Sequence, residues 1–224
     1  ASLMINGEIK GCVSEERFSR VKNDERYPYH SINWFLKKFK IKKNEIKNVC
    51  FISKAWAPGY ILTRHYTTFS IKDYLLEQKK IWYPRIYLNK KVSQTNVFKN
   101  KIDFNQFPGI KFWKKIANYT RSNVDHVSNK QIVKLGQKIR SKVVQKHLGI
   151  ETNKIKFIDH SSGHAAYAYF STGMFKDKTL VLTLDAFGDN INYSANLFKP
   201  KKNKDLEIKR ISKGSNFIIG RLYR

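Results

Sequence analysis

The chain opens with "ASLMINGEIKGCVSEE", two apolar runs broken by Asn6-Gly7. Asn-Gly between such runs predicts a β-hairpin, because a type I′ turn needs φ > 0 at both central residues. In residues 29–41, Ile32, Phe35, Leu36 and Phe39 recur at helical spacing and predict an amphipathic helix. "IKNVCFIS" is a continuous apolar run suited to a buried strand. From residue 54 to 127 the period is lost. This part is aromatic and Lys-rich, punctuated by Pro58, Pro84 and Pro108, and reads as an insertion with short helices outside the sheet. Residues 128–150 then give an amphipathic helix, with Ser128 as N-cap and Gly149 just past its end. "KIKFIDH" reads as a strand, "SGHAAYAYFST" as a helix, "TLVLTLD" as a buried strand, "AFGDN" as a tight turn and "INYSANLF" as another strand.

A hairpin thus opens the chain and a second opens near residue 180, with strand and helix units between them. The pattern predicts a duplicated α/β architecture, with a first half over 1–159 and the start of a second over about 178–224. Actin-like and sugar-kinase-like ATPases are built that way, with two hairpin turns facing one nucleotide.

Composition changes this picture little. Of 224 residues, 41% are hydrophobic and 14% aromatic, enough for a packed core. The formal net charge of +27 raises nucleic acid or an anionic surface as partners. Yet Lys, Asn and Ile are over-used together, as in an A/T-biased coding sequence. The lysines are also scattered through "KKFKIKKNEIK", "NKKVSQ" and "KPKKNKD". No stripe with interleaved aromatics collects them, so the expectation is no specific nucleic-acid partner, and an anionic small substrate suits the same charge. Cys12 and Cys50 form no C-x-x-C, which argues against a disulfide scaffold or zinc ribbon; each sits in an apolar stretch, where a buried free thiol is expected. No run of eighteen apolar residues spans a membrane, no leader is visible, and a cytoplasmic protein is expected. The chain starts inside a strand pattern at Ala1 and stops at "GRLYR", as a fragment of a longer protein would.

Chemistry concentrates in "DHSSGHAAYAYF". His160 and His164 stand four residues apart, on one helix face, about 5–6 Å apart at Cβ. Two neutral imidazoles there can share a divalent ion, and the small residues at 161–163 leave room for a substrate. The same pair also suits two ordinary histidines near a helix N-terminus. Asp185 ends the apolar strand before a turn holding Gly188 and Asp189, where α/β sheets present ligand-binding groups, so it is a candidate third ligand. "SEERFSRVKND" gathers Glu15, Glu16, Arg17, Arg20 and Lys22, cations that suit a phosphate, or a solvated edge. His30 and His65 fall in no motif and read as structural or surface residues.

Together, "ASLMINGEIKGCVSEERFSRVKND", "YPYHSINWFLKKFKI", "DHSSGHAAYAYF" and "LVLTLDAFGDN" resemble the N-terminal part of the O-carbamoyltransferases that modify nodulation factors and antibiotics (the NodU/CmcH type). The terminal "KGSNFIIGRLYR" is similar as well. The resemblance implies an actin-like ATPase (duplicated ribonuclease-H-like) fold. A separate carboxy-terminal domain would form carbamoyl-adenylate from carbamoyl phosphate and ATP, with Mg²⁺. The domain here would pass the carbamoyl group to a hydroxyl of a small acceptor, a sugar or secondary metabolite. Carried over, His160, His164 and Asp185 are catalytic ligands of a divalent metal, Fe²⁺ or similar. Arg17, Arg20 and Lys22 contact nucleotide or carbamoyl phosphate, and Gly188 and Asp189 lie in the second phosphate-facing turn. Ser161 stands where the family usually has a second histidine, and Ala186 where it usually has Gly. Two other readings remain: an ATPase or kinase of the same fold without carbamoyl chemistry, and a basic nucleic-acid-binding protein.

Overall fold

The computed structural model describes residues 1–22, 24, 26–55, 70–90, 92, 94–98, 100–101, 130–173, 177–189, 191–201 and 205–215. These form two compact units, one of residues 1–51 with 138–157, the other of 52–137 with 158–224. The division follows contacts, so the helix carrying His160 and His164 goes with the strands that follow it.

In the first unit, β1 (Ser2–Ile5) and β2 (Glu8–Cys12) pair antiparallel around the expected turn, with Asn6 at φ 52° and Gly7 at φ 86°. Helix α1 (Glu16–Ser19) is a single turn that ends on Arg20 in the left-handed conformation. Helix α2 (Tyr29–Lys38) buries Phe35 and packs Ile32 and Leu36 on a core of Val144, Leu148, Ile150 and Ile155. β3 (Val49–Phe51) and β4 (Ile155–Phe157) pair in parallel, which stacks Phe51 on Phe157 with ring centroids 5.0 Å apart and the Arg140 guanidinium over both rings.

Glu15 organises this unit. Its carboxylate is buried and accepts from the backbone N–H groups of His30 and Ser31 and from the Ser31 hydroxyl, with the His30 imidazole at 2.6 Å. A negative charge at the first turn of α2 meets the free N–H groups there. Burial pushes the Glu15 pKa up, but the bonds from Ser31 and His30 outweigh it and hold it at about 2.

In the second unit, the part expected to be an insertion contains α3 (Ile71–Glu77), a π-helical turn (Gln78–Trp82), α4 (Tyr83–Ile86) and α5 (Gln94–Val97), short helices as expected. Ser70 and Asp73 form a capping box that starts α3. Helix α6 (Lys130–Leu148), whose residues from 138 on belong to the first unit, ends at Gly149, whose φ of 71° is the expected left-handed stop; Ser128, its expected N-cap, lies outside the described residues, as does His65. Helix α7 (His160–Ser171) lies against β5 (Thr179–Gly188) and β6 (Ile191–Pro200), with β7 (Leu206–Gly214) completing an antiparallel β5-β6-β7 sheet. Its core is Ala165, Tyr169, Val181 and Phe198; Tyr169 stacks on Phe198 at 4.4 Å. Burying such a ring is worth about 1.5–3 kcal/mol.

Three expectations need correction. The strand "TLVLTLD" is half-buried: Val181 and Thr183 turn inward, while Leu180, Leu182 and Leu184 are exposed, because among the described residues only the face toward α7 is covered. "IKNVCFIS" narrows to Val49–Phe51, alternating in the same way. Cys12 and Cys50 are exposed rather than buried, since each alternates outward on a two-stranded ribbon. β7 was not anticipated, because "LEIKRISKG" interleaves its apolar residues with charge.

Candidate metal centre

The site is built within the second unit, from one helix end and one irregular strand. Asp159 is the N-cap of α7, its Oδ1 accepting from Ser162 N at 3.0 Å and its Oδ2 from the Ser162 hydroxyl at 2.7 Å. That makes His160 the first helical residue and puts His164 one turn on, on the same face. Arg210, from β7, donates to Asp159 Oδ1 and to Ser162 Oγ, both at 2.7 Å. Burial raises the Asp159 pKa, but the Ser162 and Arg210 bonds more than offset it and the net shift is downward.

Asp185 comes from a break in strand register. β5 and β6 pair regularly to Leu184↔Tyr193 and resume at Gly188↔Ile191, leaving three β5 residues opposite Asn192. Such a bulge re-aims side chains, and here the Asp185 carboxylate reaches the two imidazoles. His160 Nε2 lies 2.9 Å from Asp185 Oδ2, His164 Nε2 3.8 Å from the same oxygen, and the two Nε2 atoms are 2.9 Å apart. The rings stand edge to face, with centroids 4.5 Å apart and planes at 87°.

Backbone and glycines hold the first ring. His160 Nδ1 faces the Ile52 carbonyl at 3.4 Å, which favours a hydrogen on Nδ1 and a lone pair on Nε2. Gly188 lies flat against the His160 ring, where a Cβ would stand 2.1 Å from Cδ2. Asp189, left-handed at φ 51°, turns its carboxylate inward and accepts from His160 N, Lys54 N, Ala55 N and the Ser53 hydroxyl at 2.7–3.1 Å. It ties the 53–55 loop to the start of α7. The left-handed residue of this turn is therefore Asp189, while Ala186 lies within β5.

The space expected at 161–163 is filled by protein. Ser161 is buried, its hydroxyl 2.9 Å from that of Thr183 and 2.6 Å from that of Ser194, and an imidazole there would displace both. Gly163 carries the Ile52 side chain where its own Cβ would be. Approach to the histidines is from their outer side: the side chains of His160, His164 and Asp185 are 34%, 52% and 28% exposed.

The three donor atoms lie within 4.8 Å of one another, and among the described residues no other such cluster of three occurs. Two atoms bonded to one ion at about 2.0–2.1 Å stand about 3 Å apart at a right angle and about 3.4 Å apart at a tetrahedral one. Two of the observed separations, both 2.9 Å, match that size, and the third, His164 Nε2 to Asp185 Oδ2 at 3.8 Å, is longer. Two imidazoles and one carboxylate are a donor set for first-row divalent metals, and the solvent-facing side leaves positions open. The residues fit a metal ion.

Other residues expected at the site lie in the first unit. Arg17 and Arg20 are exposed there, and Lys22 is exposed with its ammonium 3.6 Å from Glu16. Asp159, Ser162 and Arg210 were missed. An Asp three residues before a Ser at a helix start is a cap signal that would have found the first two.

The carbamoyltransferase N-terminus family model matches residues 1–224. The chain belongs to this family. It is also 28% identical over 200 residues to an uncharacterised protein of Methanocaldococcus jannaschii (MJ1058), an alignment that covers 87% of this chain and 30% of that relative. The chain therefore spans about a third of the relative's length. Among the described residues, no helix of this carbamoyltransferase N-terminal chain is long and apolar enough to cross a membrane.

Proposed function

We propose that this chain is the acceptor-side part of a metal-assisted O-carbamoyltransferase of actin-like fold. The carbamoyl group passes from carbamoyl-adenylate to a hydroxyl of a small acceptor. The observation that carries this reading is the convergence of His160, His164 and Asp185 within 4.8 Å, in a chain of the carbamoyltransferase N-terminal family. A kinase of this fold works with a Mg²⁺-nucleotide and needs no histidine pair, so the triad favours carbamoyl transfer over the kinase reading.

His160, His164 and Asp185 hold the divalent ion, which when bound supplies Lewis acidity toward a carbonyl or phosphoryl oxygen. The protein's own part is positional. Ile52 C=O and Gly188 set the His160 ring, Asp189 fixes the start of α7, and the β5 bulge aims Asp185. The acceptor hydroxyl gives up its proton to solvent as its oxygen bonds to the carbamoyl carbon, that carbon's bond to the phosphate oxygen breaks, and AMP leaves. Arg17, Arg20 and Lys22 offer cations for phosphate oxygens. Gly188 and Asp189 act through the turn they build. ATP with Mg²⁺ and carbamoyl phosphate are consumed in forming the adenylate, outside this chain, and the reaction is cytoplasmic.

The test uses the protein at its full natural length, with metal analysis and separate assays of adenylate formation and carbamoyl transfer. His164→Ala should lose bound metal and transfer while adenylate formation persists. Lys22→Ala should keep its metal and lose efficiency with nucleotide or carbamoyl phosphate by about 1.5–3 kcal/mol, as for one charged hydrogen bond. A His164→Ala protein that keeps its metal and transfers normally would refute the assignment.

A further inference from the structure

A cavity of about 390 Å³ is lined by residues of the second unit, none of them a candidate metal ligand. Among the described residues, five cationic side chains line it: Lys54 from the loop after β3, Lys130 and Lys134 from α6, and Arg210 and Lys213 from β7. Two carboxylates also line it, but both are engaged inward. Asp189 accepts from Ser53, Lys54, Ala55 and His160, and Asp159 from Ser162 and Arg210. Among the described residues, Lys130, Lys134 and Lys213 make no ion pair. Arg210 is paired with Asp159, and Lys130, Lys134 and Lys213, from α6 and β7, leave an excess of cation around the space.

That excess suits a dianion better than a single carboxylate, and a phosphoryl group carries about −1.5 to −2 at neutral pH. The volume is that of a small-molecule site, about 300–1,000 Å³, rather than a track for a nucleic-acid backbone. Val133 and Ile191 supply apolar wall for a carbon skeleton. Among the described lining residues none is aromatic, so they offer a nucleobase no ring to stack on.

We propose that this cavity binds a small non-nucleotide phosphate ester, such as a phosphorylated sugar or alcohol. The proposal goes beyond the carbamoyl-transfer reading and stands without it, since the metal ligands take no part. Lys134 and Lys213 approach from α6 and β7 and hold the phosphoryl oxygens, while Arg210, tied to Asp159, Ser162 and Asn196, gives a fixed edge.

The experiment is calorimetric titration of the full-length protein with ribose 5-phosphate, ribose and AMP. Saturable binding of ribose 5-phosphate is expected, with none for ribose; AMP is the control for the adenylate site that the full-length protein also carries. Lys134→Gln combined with Lys213→Gln should weaken ribose 5-phosphate at least tenfold. These lysines are solvent-exposed, so the variant should fold, and circular dichroism checks that. Lys80→Gln, an exposed lysine elsewhere in the unit, should change nothing. His164→Ala should bind ribose 5-phosphate as the parent does, which separates this site from the metal centre. Absence of saturable ribose 5-phosphate binding, equal weakening in Lys80→Gln, or a loss of AMP binding in the double lysine variant as large as that of ribose 5-phosphate would each overturn the proposal.

Discussion

Gly188 and Gly163 show how much of the candidate centre depends on missing side chains. A Cβ at Gly188 would lie 2.1 Å from His160 Cδ2 and 2.5 Å from Cγ, so alanine there must displace the imidazole. Gly188→Ala should therefore leave the fold intact and weaken divalent-metal binding by about 10–100-fold, the usual penalty for disturbing a ligand's support. Metal titration of the purified variant, with circular dichroism as the fold check, measures this; parent-like affinity would show that the ring has another resting place. Gly163 differs, since its Cβ would meet Ile52 Cγ2 at 2.1 Å and no ligand. Gly163→Ala should cost about 1–3 kcal/mol as an overpacked contact. Adding Ile52→Ala removes the clashing methyl, so the double variant should be less destabilised than the two single losses added together. Urea unfolding of all three decides it.

Elements are fixed by a few carboxylates that reach across the chain, and these separate what the sequence made legible from what it did not. The first hairpin, α2, α6 and α7 were legible because their signals are local: Asn6-Gly7, helical spacing, and Gly149 as a stop. The His160–His164 pair was legible for the same reason, and Asp185 from its place at the end of an apolar run, although β5 continues past it through a bulge to Gly188. Glu15 reads only as one charge among several, because its partners His30 and Ser31 stand fifteen and sixteen residues away. Asp189 was read as a turn residue, while its donors at Ser53–Ala55 lie 134 to 136 residues off. Periodicity carries no information about such pairings. The Glu15 bond set gives a pH prediction. Its folded pKa of about 2 lies below the ordinary glutamate value of 4.5, so its stabilisation is fully present above about pH 4.5 and is lost as pH falls toward 2. The shift corresponds to roughly 3 kcal/mol. The stability difference between the parent and Glu15→Gln should shrink across that window; a difference that stays constant from pH 6 to pH 2.5 would assign the effect to packing.

At the scale of the whole molecule, the +27 charge asks whether the chain is a nucleic-acid binder. Counterion release makes any such protein cling to phosphate backbones, with affinity falling steeply as salt rises. Specific recognition needs side chains placed on base edges, or aromatic rings for unpaired bases. The cations here are distributed differently. Some are spent in short-range pairs, Lys10 with Glu8, Arg26 with Asp24, Lys101 with Asp73 and Lys201 with Glu207. Others line the cavity beside Asp159 and Asp189, where the space admits a small molecule. A dispersed excess of this kind should give only weak, sequence-blind binding, with a Kd of about 10⁻⁴–10⁻⁶ M at physiological salt. Fluorescence anisotropy with several unrelated DNA and RNA oligonucleotides, from 50 to 200 mM salt, measures it. The expected curves superimpose across sequences and shift together with salt. Submicromolar binding to one sequence at physiological salt, with the others left behind, would mean that the charge serves a nucleic-acid surface after all.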